Sequence, residues 1–417
     1  MESLRFVHAA DLHIDSPFHG MDQVNSVVAQ RLRESTYEAY QNLISLCLDE
    51  EVDFLVIAGD VYDGADRSIK AQFRFRDGLL KLAENGIQTF VVHGNHDPLD
   101  GWLASLDWPQ GVTIFNENVQ WHQAERTGIP IAQIAGVSYP TRDVTENLSA
   151  RFTSPPDPRL FSIGLLHCNL GGDPRHPNYA PCTVEDLKKP GIDYWTLGHV
   201  HTLKVHEDPV VTIAYPGNSQ GRHPNEGGAR GCLLVDVTAD GKIKHQFRPL
   251  DVVRWEQVEI SIENIGQKDL GGLIGRAKER LRSVSDAADG RDVVCRIELN
   301  GNGPLHDDIK RPNFVEELEG ELNSTGELTP PWCWVDRITD RTRPEIDLEQ
   351  AENQDDFLAH CLKAASGLEP GEIEGFLDDV YSGSTKRLPI PSEADLSFDD
   401  LIGDVRWYLA ELLRRES

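Results

Sequence analysis

Five times along this chain a short apolar run ends in side chains that can hold a metal ion. Asp11 and His13 follow Leu4–Ala9, and Asp60 and Asp63 follow Phe54–Ala58. Gly94-Asn95-His96-Asp97 comes after the run ending at Val92, His167 after Ser162–Leu166, and Gly198-His199-Val200-His201 after Tyr194–Leu197. Asp11, His13, Asp60, Asn95, His167, His199 and His201 offer carboxylate, imidazole and amide-oxygen donors and no thiolate. That mixture suits divalent ions of borderline-to-hard character, Mn2+ ahead of Fe2+, Zn2+ or Mg2+. Seven donors are too many for one ion that keeps positions open for substrate, and about right for two ions sharing one carboxylate and a water. Residues i and i+2 of an extended segment point the same way. Both members of Asp11/His13 and of His199/His201 can therefore face one site while Leu12 and Val200 face the core.

The elements that must position these groups alternate. Strands are predicted at Leu4–Ala9, Phe54–Ala58, Thr89–Val92, Ile131–Val137, Ser162–Leu166, Tyr194–Leu197, Val210–Tyr215 and Cys232–Val237, with helices near 24–49 and 68–84 between the early ones. Alternation early and strands alone later predict an α/β layered domain. In open α/β sheets, ligands bind beyond the carboxyl ends of the strands, where residues distant in sequence converge. Glycines at 59, 94 and 198 precede the ligands and allow sharp turns or close approach. The division predicted is 1–248 for the site-bearing domain, 249–344 for a small α+β domain, and 345–417 for an acidic helical region. In the second block Val258–Ile262 and Asp292–Leu299 read as strands and Leu270–Val284 as a helix. In the third, Leu401, Val405, Leu409 and Leu412 form one helical stripe, suited to internal packing or to docking a partner.

Composition bounds the rest. The chain has 417 residues, room for two or three domains at ~150 residues each. Hydrophobic residues at 39% and charged residues at 26% mark a folding, soluble chain. No apolar run approaches the ~18 to 20 residues of a spanning helix, and the N-terminus already reads as a strand, so the expected location is cytoplasmic. Seven scattered cysteines without a CxxC pair argue against a disulfide framework or a zinc knuckle and for buried thiols. The net charge of −29 is the reverse of a protein that grips nucleic acid by bulk positive charge. A polyanionic substrate would need metal ions, a local basic patch or a basic partner.

Taken in order, Asp-x-His, Gly-Asp-x-x-Asp, Gly-Asn-His-Asp, a single His and Gly-His-x-His resemble the calcineurin-like metallophosphoesterases. The opening Phe6-Val7-His8-Ala9-Ala10-Asp11-Leu12-His13 and the segment from Tyr215 to His223 are similar to the bacterial DNA repair nucleases of the SbcD type, especially their YhaO-like relatives. The resemblance covers about residues 1–235. It implies a four-layer α/β/β/α sandwich, two Mn2+ ions and an appended small capping domain. It also implies roles: Asp11, His13 and His201 on one ion, Asn95, His167 and His199 on the other, and Asp60 bridging. His96 would protonate the leaving oxygen, with Asp97 orienting it and Asp63 supporting a ligand histidine. The implied activity is hydrolysis of DNA phosphodiester bonds, as a repair exonuclease; an SbcC-like coiled-coil ATPase partner and a homodimer are further implications. A phosphatase or small-molecule phosphodiesterase on the same scaffold, and a weakly active scaffold subunit, are the alternatives.

Other residues have two readings each. Arg222 and His223 could touch substrate phosphates or sit in a solvated loop. Arg67, Lys70, Arg74 and Arg76 could form a phosphate patch, though spacings of three and four favour an exposed helix face. His8, His19 and His93 read as core or surface residues, and Trp332-Cys333-Trp334 as packing ahead of a base-stacking platform.

Overall fold

Alternation along the N-terminal strands sets the layering. On β1 (Leu4–Ala9) and β2 (Phe54–Ala58), Phe6, Phe54 and Val56 face one way while Val7, Ala9, Leu55 and Ile57 face the other, because successive side chains on a strand point to opposite faces. Both faces are buried, the condition under which parallel strands occur. β3 (Gln88–Val92) runs parallel to β2, and β4 (Val112–Ile114) parallel to β3. β11 (Gly231–Val237) and β12 (Ile243–Pro249) extend the other edge antiparallel, in the order β12-β11-β1-β2-β3-β4. Against the Val7 face pack α1 (Ser26–Asp49) and α2 (Ile69–Glu84), through Tyr40, Leu43, Phe75 and Leu79. Asn25 Oδ1 accepts from Val27 N and Val28 N, and Ser68 Oγ accepts from Ala71 N. Each satisfies amides that the first helical turn leaves without partners.

The Phe6 face meets a second sheet made of β5 (Gln120–Arg126), β6 (Ile129–Val137), β7 (Phe161–His167), β8 (Tyr194–Gly198), β9 (Lys204–Glu207) and β10 (Thr212–Tyr215), in the order β5-β6-β7-β8-β10-β9. Phe6, Phe54 and Phe90 interleave with Ile134, Ile163, Leu165 and Tyr194 between the sheets. The outer face of the second sheet, with Val137, Leu166, Trp195 and Leu197, is covered by Tyr139, Leu148, Phe152 and Leu187. Leu187 comes from α3 (Val184–Lys188). Three apolar layers separate four structural ones, so the expected α/β/β/α sandwich is the architecture, with a thin fourth layer. Four strands of these two sheets were not anticipated. β4, β5, β9 and β12 are short or polar edge elements without the apolar runs of the central strands. The strand expected from Val210 starts at Thr212, because Val210 belongs to a turn whose amide donates to Asp208 Oδ1.

The computed structural model describes residues 2–16, 18, 25–64, 68–102, 106–172, 177–324, 329–368 and 398–414. It forms two compact units: Met1–Gln257 with Arg282–Cys295 and Gly326–Asp336, and Val258–Leu281 with Arg296–Thr325 and Arg337–Ser417. A three-stranded sheet has the order β13 (Val253–Ser261), β14 (Asp292–Asn300), β15 (Cys333–Asp340). Trp332 and Trp334 are core residues, clustered with Val28, Leu32, Val253, Trp255 and Val294. α4 (Leu270–Ala287) buries Leu273, Ala277 and Leu281, one stripe at i, i+4 and i+8. The remaining helices are α5 (His306–Ile309), α6 (Phe314–Asn323), α7 (Leu348–Glu352), α8 (Phe357–Ser366) and α9 (Phe398–Arg414).

The stripe expected on α9 is corrected. Leu412 is 50% exposed while Ala410 is fully buried. Leu401, Val405 and Leu409 are partly buried, and beside them Asp404 pairs with Arg343 at 2.8 Å and Arg406 with Glu352 at 2.6 Å. Five of the cysteines are buried and two partly buried, all as free thiols. Among the described residues, no helix is long and apolar enough to cross a membrane.

Candidate metal centre

Within each sheet the ligand-bearing strands are parallel, so their carboxyl ends lie along one edge. The two edges meet where His167 Nδ1 lies 2.9 Å from the Ala58 carbonyl oxygen. Little room is left at that seam. A Cβ on Gly198 would stand 1.9 Å from Ala58 O, and one on Gly94 would stand 2.4 Å from Asp60 Oδ1. The chain turns abruptly there: Asp11, His13, Asp60 and His199 all have positive φ, between 45° and 100°. Such conformations persist only where the surroundings over-determine them, and they cluster at functional sites. Here Asp11 N donates to Gly59 O, and His13 N to Asp60 O, each at 3.0 Å.

The side chains thus gathered are nearly solvent-free. Asp11 Oδ1 and Oδ2 accept from His199 N at 3.1 and 3.2 Å. His13 Nε2 stands 3.3 Å from His201 Nε2 and 3.8 Å from Asp60 Oδ2. His167 Nε2 lies 3.0 Å from Asn95 Oδ1 and 3.4 Å from Asp60 Oδ2. His199 packs its ring beside that of His167, centroids 5.3 Å apart, with Nε2 2.8 Å from Pro177 O. All seven expected ligands are therefore brought together.

Among the described residues, three groups of donor atoms each fall within 4.8 Å: Asp11, His13 and His201; Asp11, Asp60 and His167; and His13, Asp63 and His96. Ligands ~2.1 Å from an ion stand no more than ~4.2 Å apart, and His13 to His201 at 3.3 Å, His201 to Asp11 at 4.0 Å and His167 to Asp60 at 3.4 Å lie within that reach. The electrostatics fit as well. Two buried carboxylates side by side are costly without positive charge, and two imidazole nitrogens facing each other can share only one hydrogen. Burial pushes the Asp11 carboxyl up to about 6, against the pull of His201 and His167. Burial disfavours charge on His167 too, yet Asp60 outweighs it and raises the imidazole to about 9. His13, where burial and then Arg222 disfavour charge, falls to about 3.

His96 sits at the mouth, with about a third of its side chain exposed and Nδ1 3.0 Å from Asp63 Oδ1. Burial works against its charged form, but the Asp63 hydrogen bond and the negative charges of Asp60 and Asp63 together prevail and its pKa rises. Asp63 also lies 3.1 Å from His13 Nδ1, accepts from Arg222 Nη1 at 2.8 Å and from Ser16 Oγ at 2.7 Å. The carboxylate placed against His96 is thus that of Asp63. Asp97, expected there, instead accepts from Val61 N at 2.9 Å and Gly94 N at 2.8 Å, with His93 Nδ1 at 2.9 Å. It is fully buried and ties the Asp60 loop to the Asn95 loop.

Of the two loop residues, Arg222 joins the site through Asp63, while His223 is exposed with Nδ1 accepting from Asn225 N. His8 is buried beside Tyr194 OH at 3.3 Å. Arg74 lies over the Tyr37 ring and Arg76 pairs with Asp77; Lys70 is exposed. Arg67 and His19 lie outside the described residues. One residue not anticipated is Glu226, whose Oε1 is 2.6 Å from His201 Nδ1. Its only sequence signal is its position, a carboxylate soon after the Tyr215–His223 segment.

Residues 4–203 match the family model for calcineurin-like phosphoesterases, and residues 255–343 match that for the middle domain of the metallophosphoesterase YhaO. The chain is 32% identical over its whole length to the uncharacterized metallophosphoesterase YhaO of Bacillus subtilis, covering 98% of that protein. It is 24% identical to the DNA double-strand break repair protein Mre11 of Sulfurisphaera tokodaii, over 84% of this chain and 85% of that one. A dimetal phosphatase from Danio rerio aligns over 59% of this chain and 96% of its own, with 12% identity and a TM-score of 0.38.

Proposed function

The chain belongs to the YhaO-like calcineurin-type metallophosphoesterases, and on that premise we propose that it hydrolyses phosphodiester bonds in DNA, as an exonuclease acting in repair. The observation that carries the hydrolytic half is the convergence of donor atoms from five strand ends in overlapping groups of three, each no more than 4.8 Å across. Similarity to a protein named for DNA double-strand break repair, along most of both chains, supports DNA as the substrate.

Asp11, His13 and His201 would hold one divalent ion and Asn95, His167 and His199 the other, with Asp60 common to both; Mn2+ suits these donors best. Two such ions lower the pKa of a shared water and neutralise phosphate charge. The chain's own residues do the rest. Asp63 holds His96 by Nδ1, which leaves Nε2 to deliver a proton to the departing oxygen. Arg222, held by the same carboxylate, supplies positive charge beside it and is the better candidate of the two loop residues for a phosphate contact.

The −29 net charge favours the second reading, a phosphatase or small-molecule phosphodiesterase, because bulk repulsion of DNA must be overcome. A coiled-coil ATPase of the SbcC kind would supply the missing basic surface, with residues 345–417 as its docking region and 249–344 as a capping domain. Labelled duplexes with varied ends, a phosphomonoester and a simple phosphodiester, assayed in Mn2+, Mg2+ and chelator with and without that ATPase, separate the readings. Mn2+-dependent shortening of duplex ends supports the nuclease. Turnover of the small esters alone, with DNA untouched even beside the ATPase, would sink it. Loss of co-purification on deleting 345–417 tests the docking region.

A further inference from the structure

The four ligand imidazoles are held from behind in two different ways. On one side of the centre the acceptors are peptide carbonyls: Ala58 O at His167 Nδ1 and Pro177 O at His199 Nε2. On the other side carboxylates stand there: Glu226 Oε1 is hydrogen-bonded to His201 Nδ1 at 2.6 Å, and Asp63 Oδ1 lies 3.1 Å from His13 Nδ1 without the alignment of a hydrogen bond. An ionised acceptor makes a hydrogen bond roughly twice as strong as a neutral one. It also fixes the tautomer and raises the basicity of the nitrogen left for the metal.

Glu226 is built into its place. Its Oε2 accepts from Arg222 N at 2.7 Å and from Asn218 Nδ2 at 2.9 Å, which leaves Oε1 directed at His201. Arg230 donates to the carbonyl of His201, to Asn218 Oδ1 and to the carbonyl of Glu226. The ring and the backbone of His201 are therefore gripped by the same loop. That loop is anchored by buried Gln220, whose Nε2 donates to Val253 O and whose Oε1 accepts from Val252 N. It starts at Gly217, with φ of +81°, where a Cβ would stand 2.8 Å from His201 O. These contacts keep the Glu226 carboxylate on His201 Nδ1, so Nε2 faces His13 Nε2 and Asp11.

We propose that Glu226 is a positioning residue for the cation held by Asp11, His13 and His201, and that it makes this half of the centre the tighter of the two. The inference rests on the ligand assignment proposed above and extends it to an order of filling. The first divalent ion enters the carboxylate-backed half, and the Asn95–His167–His199 half fills second.

Titration of metal-free protein with Mn2+, followed calorimetrically and by the electron paramagnetic resonance of the bound ion, tests this without reference to turnover. The natural chain should bind in two steps, with a coupled two-ion spectrum at saturation. Asn95→Ala should lose the weaker step and keep the tighter one. Glu226→Ala should weaken the tighter step by ~10- to 100-fold, the usual effect of removing such a partner. Glu226→Gln keeps an acceptor for Nδ1–H but turns its amide nitrogen toward the donors Arg222 N and Asn218 Nδ2, so it should recover only part of that loss, and the melting midpoint of each variant separates misfolding from loss of the contact. If both Glu226 variants keep the tighter step intact, or weaken only the other, the inference fails while the metal centre stands. If the natural chain binds no Mn2+ at all, the ligand assignment itself fails.

Discussion

The two six-stranded sheets contribute different chemistry to the same pocket. The first delivers carboxylates and the proposed proton donor: Asp11, Asp60 and Asp63 all follow β1 or β2, and His96 follows β3. The second delivers imidazoles, His167 after β7 and His199 and His201 after β8, and two of these are steadied by backbone carbonyls. The first sheet is therefore the electrostatic half and the second the geometric half. They are interlocked, because the carbonyl holding His167 belongs to Ala58 on β2. A centre split this way gathers negative charge on one rigid edge and meets it with imidazoles from the other, so the three carboxylates need not be compensated within one loop.

Asp60 is where that division is most exposed, since it faces both His13 and His167. Asp60→Ala should abolish turnover and release at least one of two bound Mn2+ ions, read by metal analysis after gel filtration. Retention of both ions would show that the second sheet holds metal unaided. His96→Ala comes next. It should lower hydrolysis by ~10² to 10⁴ with metal content unchanged, because the proton donor is separable from the ligands. Metal loss in that variant would make His96 a ligand and void its role as the acid.

The seam between the sheets makes a purely structural prediction. Gly198→Ala places a methyl 1.9 Å from Ala58 O, a backbone atom that cannot swing aside. Overpacking of this kind costs ~1 to 3 kcal/mol and occasionally more, and the upper end is expected here. A denaturant melt of the metal-free protein should show it. An unchanged midpoint would mean that the two edges are held together less rigidly than the 2.9 Å contact of His167 with Ala58 implies.

How far the pocket could be read from residue order depends on the same division. Ligands at strand ends are legible because an apolar run of four to six residues marks the polar side chains just beyond it, and all seven such residues meet. The supports are not. Glu226 stands 25 residues from His201 and is one acidic residue among 69 Asp and Glu. Nothing local distinguishes it, and only the turn at Gly217 brings it back. The polar edge strands β5 and β9 escaped for a related reason, since exposed strands need no apolar pattern. On α9 the apolar periodicity was real, yet the last residue of the expected stripe, Leu412, is half exposed and the small Ala410 is the one fully buried.

Asp97 was the carboxylate expected to orient His96, yet Asp63 stands there, and the surroundings of the two separate them. Asp63 lies 3.0 Å from His96 Nδ1, whereas Asp97 spends its oxygens on Val61 N and Gly94 N, with His93 beside them. Exchanging a carboxylate for an amide keeps the shape but turns one acceptor into a donor. In Asp97→Asn that donor would face Val61 N or Gly94 N, leaving a buried amide without a partner at a cost of ~1 to 3 kcal/mol. Stability should fall, while hydrolysis by the folded fraction should change less than ~10-fold, because the carboxylate bound to His96 is left in place. Asp63→Asn should do the reverse, with little effect on the melting midpoint and a loss of rate approaching that of His96→Ala, within the ~10² to 10⁴ range of a positioned acid. Equal rate losses in the two variants would mean that the loop tie made by Asp97 controls His96 as strongly as the direct contact does.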